Sequence, residues 1–166
     1  MNGIGSTHIK QLCICVWDLE KSEKAWTHIL GAPPLRRQTP SFNDMPTFTD
    51  GKPHNIETQE FLVYELEGGV ALEIFGPGVG DNPWRRFLDK NGEGVMNIAF
   101  FVPDRDVAYD VIDGVCQTGK PYHEGFYSVG TYTFVDTMKE LGLELNIKKD
   151  EDNTKIIEQY STDFPG

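Results

Sequence analysis

The sequence predicts an α+β protein made twice from one unit, and three observations predict it. Strand-like and helix-like periods alternate along the chain. Each half runs in the same order of strand, helix and hairpin. The spacing inside the two copies also agrees: Gln11 lies seven residues before Asp18 and Asn97 seven before Asp104, while Val63 lies ten before Glu73 and Phe134 ten before Glu144. Such internal duplication is an organisational signal in its own right.

In chain order, QLCICVWD alternates and is rich in β-formers, which predicts a strand over Gln11–Trp17. LEKSEKAWTHILG places Leu19, Ala25, Trp26, Ile29 and Leu30 near helical spacing, and Gly31 with the two prolines after it ends the helix. A polar stretch rich in Pro, Asn and Asp, from about Pro33 to Thr58, reads as a long loop. EFLVYELEGGVALEIFGP reads as a hairpin turning at Gly68-Gly69. In the second half NIAFFVPD is a strand, RDVAYDVIDGVCQTG a helix ending near Gly119, and TYTFVDTMKELGLELNI a hairpin turning near Lys139–Gly142. The longer loop of the first half absorbs the difference in length between the copies.

Composition bounds the rest. A chain of 166 residues, 39% apolar and 25% charged, can bury a real core and is not disordered. The net charge of -11 argues against a nonspecific hold on nucleic acid or an anionic membrane. No apolar run reaches the roughly 20 residues of a spanning helix, and MNGIGSTHIK lacks the regions of a signal peptide, so a cytoplasmic protein is expected. Cys13, Cys15 and Cys116 are odd in number with no metal-knuckle spacing, so they read as small buried thiols.

Strand faces locate a site, because side chains alternate with a period of two. Leu12, Ile14 and Val16 face the first helix, so Gln11, Cys13, Cys15 and Trp17 face the other way. Ile98, Phe100 and Val102 face the second helix, leaving Asn97, Ala99 and Phe101 opposite. Ala71, Glu73 and Phe75 share a face, as do Gly142, Glu144 and Asn146. Each half therefore offers one amide and one carboxylate away from its helix, and the small neighbours Cys13, Ala99 and Gly142 leave room for a ligand.

These residues resemble the vicinal oxygen chelate superfamily, and within it the methylmalonyl-CoA epimerase-like branch. Its strand, VxDL, helix and LG pattern is met by CVWDLEKSEKAWTHILG. Its ligand, proline, helix and GxGxHHIAF segment is met by LEIFGPGVGDNPWRRFLDKNGEGVMNIAF. Its terminal YxDT…LGxxxEL is approximated by YTFVDTMKELGLELNI. The resemblance covers roughly residues 8 to 148. It implies two βαβββ modules forming a paired, mostly antiparallel curved sheet around a central cleft, with helices outside. The modules would span residues 8–78 and 94–148, joined by a connecting segment over 79–93 and followed by an acidic C-terminal extension over 149–166 whose Ile156 and Ile157 could dock on a neighbour. Dimerisation, as a homodimer, is implied by the resemblance alone.

In metal-dependent members of the superfamily four ligands come from these four strands, commonly His, Glu or Gln, His and Glu. Carried over, they fall on Gln11, Glu73, Asn97 and Glu144, so both histidines are amides here. Losing imidazole removes most of the affinity for zinc, cobalt, nickel or iron. Magnesium or calcium could use four oxygen donors in principle. The expectation is no cofactor, with a divalent ion on that set as the alternative. His8 and His28 fall on the wrong faces to replace a ligand, while His54 in the long loop and His123 ahead of the second hairpin are candidate lid contacts.

Two carboxylates facing one cleft are candidates for general acid–base work. The expected activity is a racemase or epimerase moving a proton on carbon α to a carbonyl, with Glu73 and Glu144 as the acid–base pair. Gln11 and Asn97 would stabilise the enolate oxygen, helped by Tyr127 or Tyr132. Such weak stabilisation favours an acidic α-proton, as in an aryl ketone, over an acyl-CoA. The branch includes racemases of aromatic ketones such as dihydrodaidzein racemase, and Trp17, Phe75, Phe101, Tyr132 and Phe134 would suit a planar small-molecule substrate. Two other classes stay open: a bleomycin-resistance-like protein sequestering an aromatic ligand, and a metal-dependent isomerase or lyase of glyoxalase type.

Overall fold

The computed structural model describes residues 3–161. The strands of the first half are β1 (Ile9–Cys15), β2 (Arg36–Gln38), β3 (Thr47–Thr49), β4 (Lys52–Pro53), β5 (Phe61–Leu66) and β6 (Val70–Phe75), with helix α1 (Leu19–Leu30) after β1. Helix α2 (Pro83–Asn91) leads into β7 (Gly94–Phe101), α3 (Arg105–Cys116), β8 (His123–Tyr127), β9 (Gly130–Val135), α4 (Met138–Leu141), β10 (Glu144–Asp150) and α5 (Thr154–Ser161). All ten strands form one curved open sheet in the order β2-β5-β6-β1-β7-β10-β9-β8-β3-β4.

The duplication is visible in that order. β1 runs parallel to β6, and β7 parallel to β10, so each half closes its last strand onto its first. The two first strands meet antiparallel, with Cys13 opposite Asn97. The seven-residue spacing of the sequence is a strand-to-cap distance. Asp18 Oδ1 accepts from Lys21 N–H at 2.9 Å and starts α1; Asp104 Oδ1 accepts from Val107 N–H at 3.1 Å and starts α3. Gly31 closes α1 with φ 70°, a left-handed conformation that a side chain would disfavour.

Alternation along the strands separates three apolar clusters. Leu12, Ile14 and Val16 pack with Leu62, Leu72, Ile74 and Trp26 beneath α1. Ile98, Phe100 and Val102 pack with Ala108, Ile112, Leu145 and Ile147 beneath α3. The opposite, concave face carries Cys13, Cys15, Phe61, Phe75, Met96, Tyr132 and Phe134. The three cysteines are free and buried.

Several elements differ from expectation. β1 lies two residues earlier, so Trp17 falls beyond it and is exposed, with the Arg85 guanidinium 5.0 Å from its ring. The long loop is not structureless. Its β3 crosses the cleft and adds to the far edge, pairing Thr47 with Gly125 and Thr49 with His123. The connecting segment, as the resemblance implies, holds a helix, α2, whose Asn82 cap accepts from Arg85 N–H at 2.8 Å and whose first residue is proline. The last hairpin turn is a one-turn helix ending on Gly142, and a further hairpin of β8 and β9 precedes it. In the C-terminal extension, β10 runs to Asp150 and α5 sets Tyr160 edge-on to Phe48 with ring centroids 5.0 Å apart; residues 162–166 lie outside the described ones. No helix among the described residues is long and apolar enough to cross a membrane.

Candidate active site

The concave face encloses a cavity of about 350 Å³. Its floor comes from β1, β6, β7 and β10, which supply Gln11, Cys13, Glu73, Asn97, Asn146 and Lys148. Its walls are aromatic. Phe61 stacks on Phe75 at 4.6 Å, Phe75 on Trp84 at 4.9 Å, and Trp84 meets Phe134 edge-on at 5.7 Å. The segment between β2 and β5 supplies Pro40, Met45 and Ile56, so the crossing that adds β3 to the far edge also borders the site.

Three polar groups form a chain across the floor. The Gln11 side chain accepts from Lys148 Nζ at 2.7 Å through its carbonyl oxygen. Its amide end donates to the Glu73 carboxylate, a bond that lowers the Glu73 pKa. Burial outweighs this, together with the charges of Lys148 and Arg36, and holds Glu73 above its ordinary value. Burial also lowers Lys148, while Glu73 pulls it back up. Thus a carboxylate that resists ionising stands near an amine that resists protonation, each partly restored by the other.

Asn97 is fully buried on the cavity floor, and neither its Nδ2 nor its Oδ1 has a hydrogen-bond partner. Asn146 Oδ1 on the floor and Trp84 Nε1 on the wall are likewise unpartnered. Buried amides left unpaired are costly, so these atoms are suited to a polar ligand. Tyr132 also faces the cavity. Its hydroxyl lies 3.2 Å from His123 Nε2, whose other nitrogen is 2.9 Å from Thr49 Oγ1. The Tyr132 ring lies over Gly125, where a Cβ would overlap it. Burial pushes the Tyr127 hydroxyl up to about 12 and Tyr132 higher still, so both keep their protons at neutral pH.

The structure gathers Gln11, Glu73, Asn97, Phe75, Tyr132 and Phe134 of the expected residues around the cavity. Glu144 does not line that cavity. Glu73, Cys13, Asn97 and Glu144 do lie in one row across β6, β1, β7 and β10. But α2 stands between the ends of that row, with Trp84 on the Glu73 cavity and Arg86 and Phe87 on a second pocket beside Glu144. There Glu144 Oε2 accepts from the Tyr122 hydroxyl at 2.6 Å. Burial pushes Glu144 up to about 7, against the lowering effect of Tyr122 and with Asp136 adding to the rise.

Trp17 is on the surface. Phe101 borders the Lys148 ammonium at 5.7 Å without lining the cavity. His54 meets His123 edge-on at 5.9 Å, and His123 is buried behind Trp84 and Tyr132, its pKa held well down by burial. These two histidines support the wall rather than touch the contents.

Sequence reasoning missed Lys148, Trp84 and Arg36. The alternation that put Glu144 and Asn146 on the inner face extends to Lys148, so that signal was available. Nothing local points to Arg36, which the pairing of β2 with β5 brings in.

The four positions that carry ligands in metal-dependent members do not compose a cation site. Glu144 is in the other pocket, the Gln11 oxygen is taken by an ammonium, and no three His, Cys, Asp or Glu side chains among the described residues converge as ligands. A divalent ion would also meet the positive charge of Lys148.

No protein-family model matches the chain, and no curated protein does. Solved structures do resemble it. Methylmalonyl-CoA epimerase from Mycobacterium tuberculosis is 14% identical with a TM-score of 0.60, covering 94% of this chain and 95% of that one. A variant of the Streptomyces coelicolor methylmalonyl-CoA epimerase in complex with 2-nitronate-propionyl-CoA is 19% identical, with a TM-score of 0.55 over 87% of this chain and 94% of its own. A hypothetical protein from Bacillus halodurans is 14% identical, with a TM-score of 0.56 over 87% and 95%. The chain therefore shares the vicinal oxygen chelate fold with the methylmalonyl-CoA epimerases.

Proposed function

We propose that this protein is an isomerase that racemises or epimerises a small ketone by moving the proton on carbon α to its carbonyl. The observation that carries the reading is Glu73. It is a carboxylate on the floor of an aromatic-walled cavity, held above its ordinary pKa by burial. Glu73 removes the α-hydrogen as a proton, the C–H electron pair forms the enolate double bond, and the carbonyl π pair moves to oxygen. The unpartnered Asn97 Nδ2 offers a donor to that oxygen. A proton returned from Glu73 restores the original hand; one given to the opposite face by the Tyr127 or Tyr132 hydroxyl, both on the cavity lining, inverts it, after which Glu73 releases its proton to water and the tyrosinate takes one up.

The same cavity argues for the substrate class. At about 350 Å³ it lies at the small end of ligand pockets. Its walls favour a planar aromatic body, so an aryl ketone such as an isoflavanone fits the reading better than an acyl-CoA. A thioester would leave its nucleotide phosphates against a chain of net charge -11. The epimerase neighbours share a fold with this chain, and the proton-moving chemistry is carried here by its own residues, without a metal.

The test uses one enantiomer of dihydrodaidzein in heavy water, with chiral chromatography and mass spectrometry. Wild type should scramble the centre and introduce one deuterium. Glu73→Gln should lower that rate at least about a hundredfold while binding changes little. Retention of exchange in Glu73→Gln would end the proposal.

A further inference from the structure

Lys148 is the one cation hydrogen-bonded on the cavity floor among the described residues. Leu145 and Ile147 point into the core beneath α3, so Glu144, Asn146 and Lys148 point the other way. Nζ donates once, to Gln11, which leaves two N–H groups for a ligand. The rings of Phe101 and Tyr127 each lie 5.7 Å from it and hold a cation between them. Gln11 cannot turn freely, because its oxygen is bound to Lys148 and its amide to Glu73.

We infer that Lys148 is the electrophile of this site: its ammonium faces the carbonyl oxygen of the substrate and holds the enolate oxygen once Glu73 has taken the α-proton. The inference rests on the proton-transfer reading above and names the group that makes it feasible. A side-chain amide alone stabilises an oxyanion weakly, whereas a buried ammonium supplies full charge where water is excluded. The transfer leaves the charge balance of the cavity unchanged. Glu73 becomes neutral as the oxygen becomes negative, so Lys148 exchanges one anionic neighbour for another. A ligand that is already acidic should therefore enter as its enolate, its proton passing to Glu73. Asn97 Nδ2 adds its donor to the same oxygen, and Trp84 Nε1, also buried without a partner, stands ready for a second polar group on such a ligand.

The test separates the two ideas. Dibenzoylmethane, a planar 1,3-diketone, reports its ionic form by absorbance, and quenching of tryptophan fluorescence, read in a protein carrying Trp17→Phe and Trp26→Phe so that Trp84 alone emits, reports occupancy. Wild type should bind it with the long-wavelength enolate band near neutral pH. Lys148→Met should still quench but lose the band, and Lys148→Arg should keep it. In the deuterium assay Lys148→Met should fall at least about a hundredfold, with partial recovery in Lys148→Arg. A wild type that fails to take up the diketone as enolate overturns the inference, as does Lys148→Met with an unchanged band or exchange within about threefold of wild type. Borohydride trapping of substrate on Lys148 would overturn it too, because the lysine would then act as an imine. If Lys148→Met does not fold, Lys148→Gln reads both arms. Absence of exchange in wild type would sink the racemase reading while the absorbance arm still judges Lys148.

Discussion

Glu73 and Glu144 are equivalent by internal symmetry, yet their surroundings assign them different chemistry. Glu73 shares the ligand cavity with Lys148 and Gln11; Glu144 is tied to Tyr122 in a separate pocket. The folded-state pKa of Glu144 is about 7, against an ordinary 4.5, chiefly because burial penalises its charge. A carboxyl raised in this way contributes stability that is complete below 4.5 and is lost as pH rises through 7. The loss is on the order of 2–3 kcal/mol at most, since the side chain keeps some solvent. Glu144→Gln, which can still accept from Tyr122, should lack this slope, so its urea midpoint should gain on wild type between pH 5 and pH 8. Parallel curves for the two proteins would show that Glu144 is not perturbed. Residue identity alone could not separate the two glutamates, because each lies ten residues after its partner in the duplicated hairpin and faces away from its helix.

At the scale of elements, α2 decides the shape of the site. It is short, but Trp84, Phe87 and Leu88 fall at helical spacing on its buried face, and Asn82, Pro83 and Gly92 mark its ends legibly. Trp84, 1% exposed, fills the cleft between Phe75 and Phe134 and separates the two pockets. Trp84→Ala should cost about 3–5 kcal/mol by chemical denaturation and merge the two pockets. A loss below about 1 kcal/mol would mean that the helix merely covers the cleft. The elements α1, α3, β5 and β6 were readable from local pattern, because caps and helical spacing mark the two helices and the Gly68-Gly69 turn joins two runs of β-formers. β3 and β4 were not. Three and two residues carry no period; β3 is a strand only because the edge of β8 presents unpaired backbone groups to it, and β4 pairs in turn with β3.

Across the whole molecule the two halves are not independent. β1 and β7 pair through the middle of the sheet, and the crossing from β2 to β3 ties the first half to the far edge of the second. Asp50, next to β3, and Asp81, ahead of α2, both bind Arg86, at 2.8 Å and 2.6 Å. Unfolding should therefore be one transition, with calorimetric and van't Hoff enthalpies that agree; two resolved transitions would contradict this coupling. By itself the sequence determined the duplicated unit, the helix caps, the faces of the four central strands and the placement of Gln11, Glu73 and Asn97, because all of these follow from period and spacing along one segment. Only the tertiary structure decided that α2 divides the cleft, that Glu144 leaves the cavity and that Lys148 joins Glu73 through Gln11. Those outcomes depend on which distant side chain fills the space above a strand, and no local pattern carries that information.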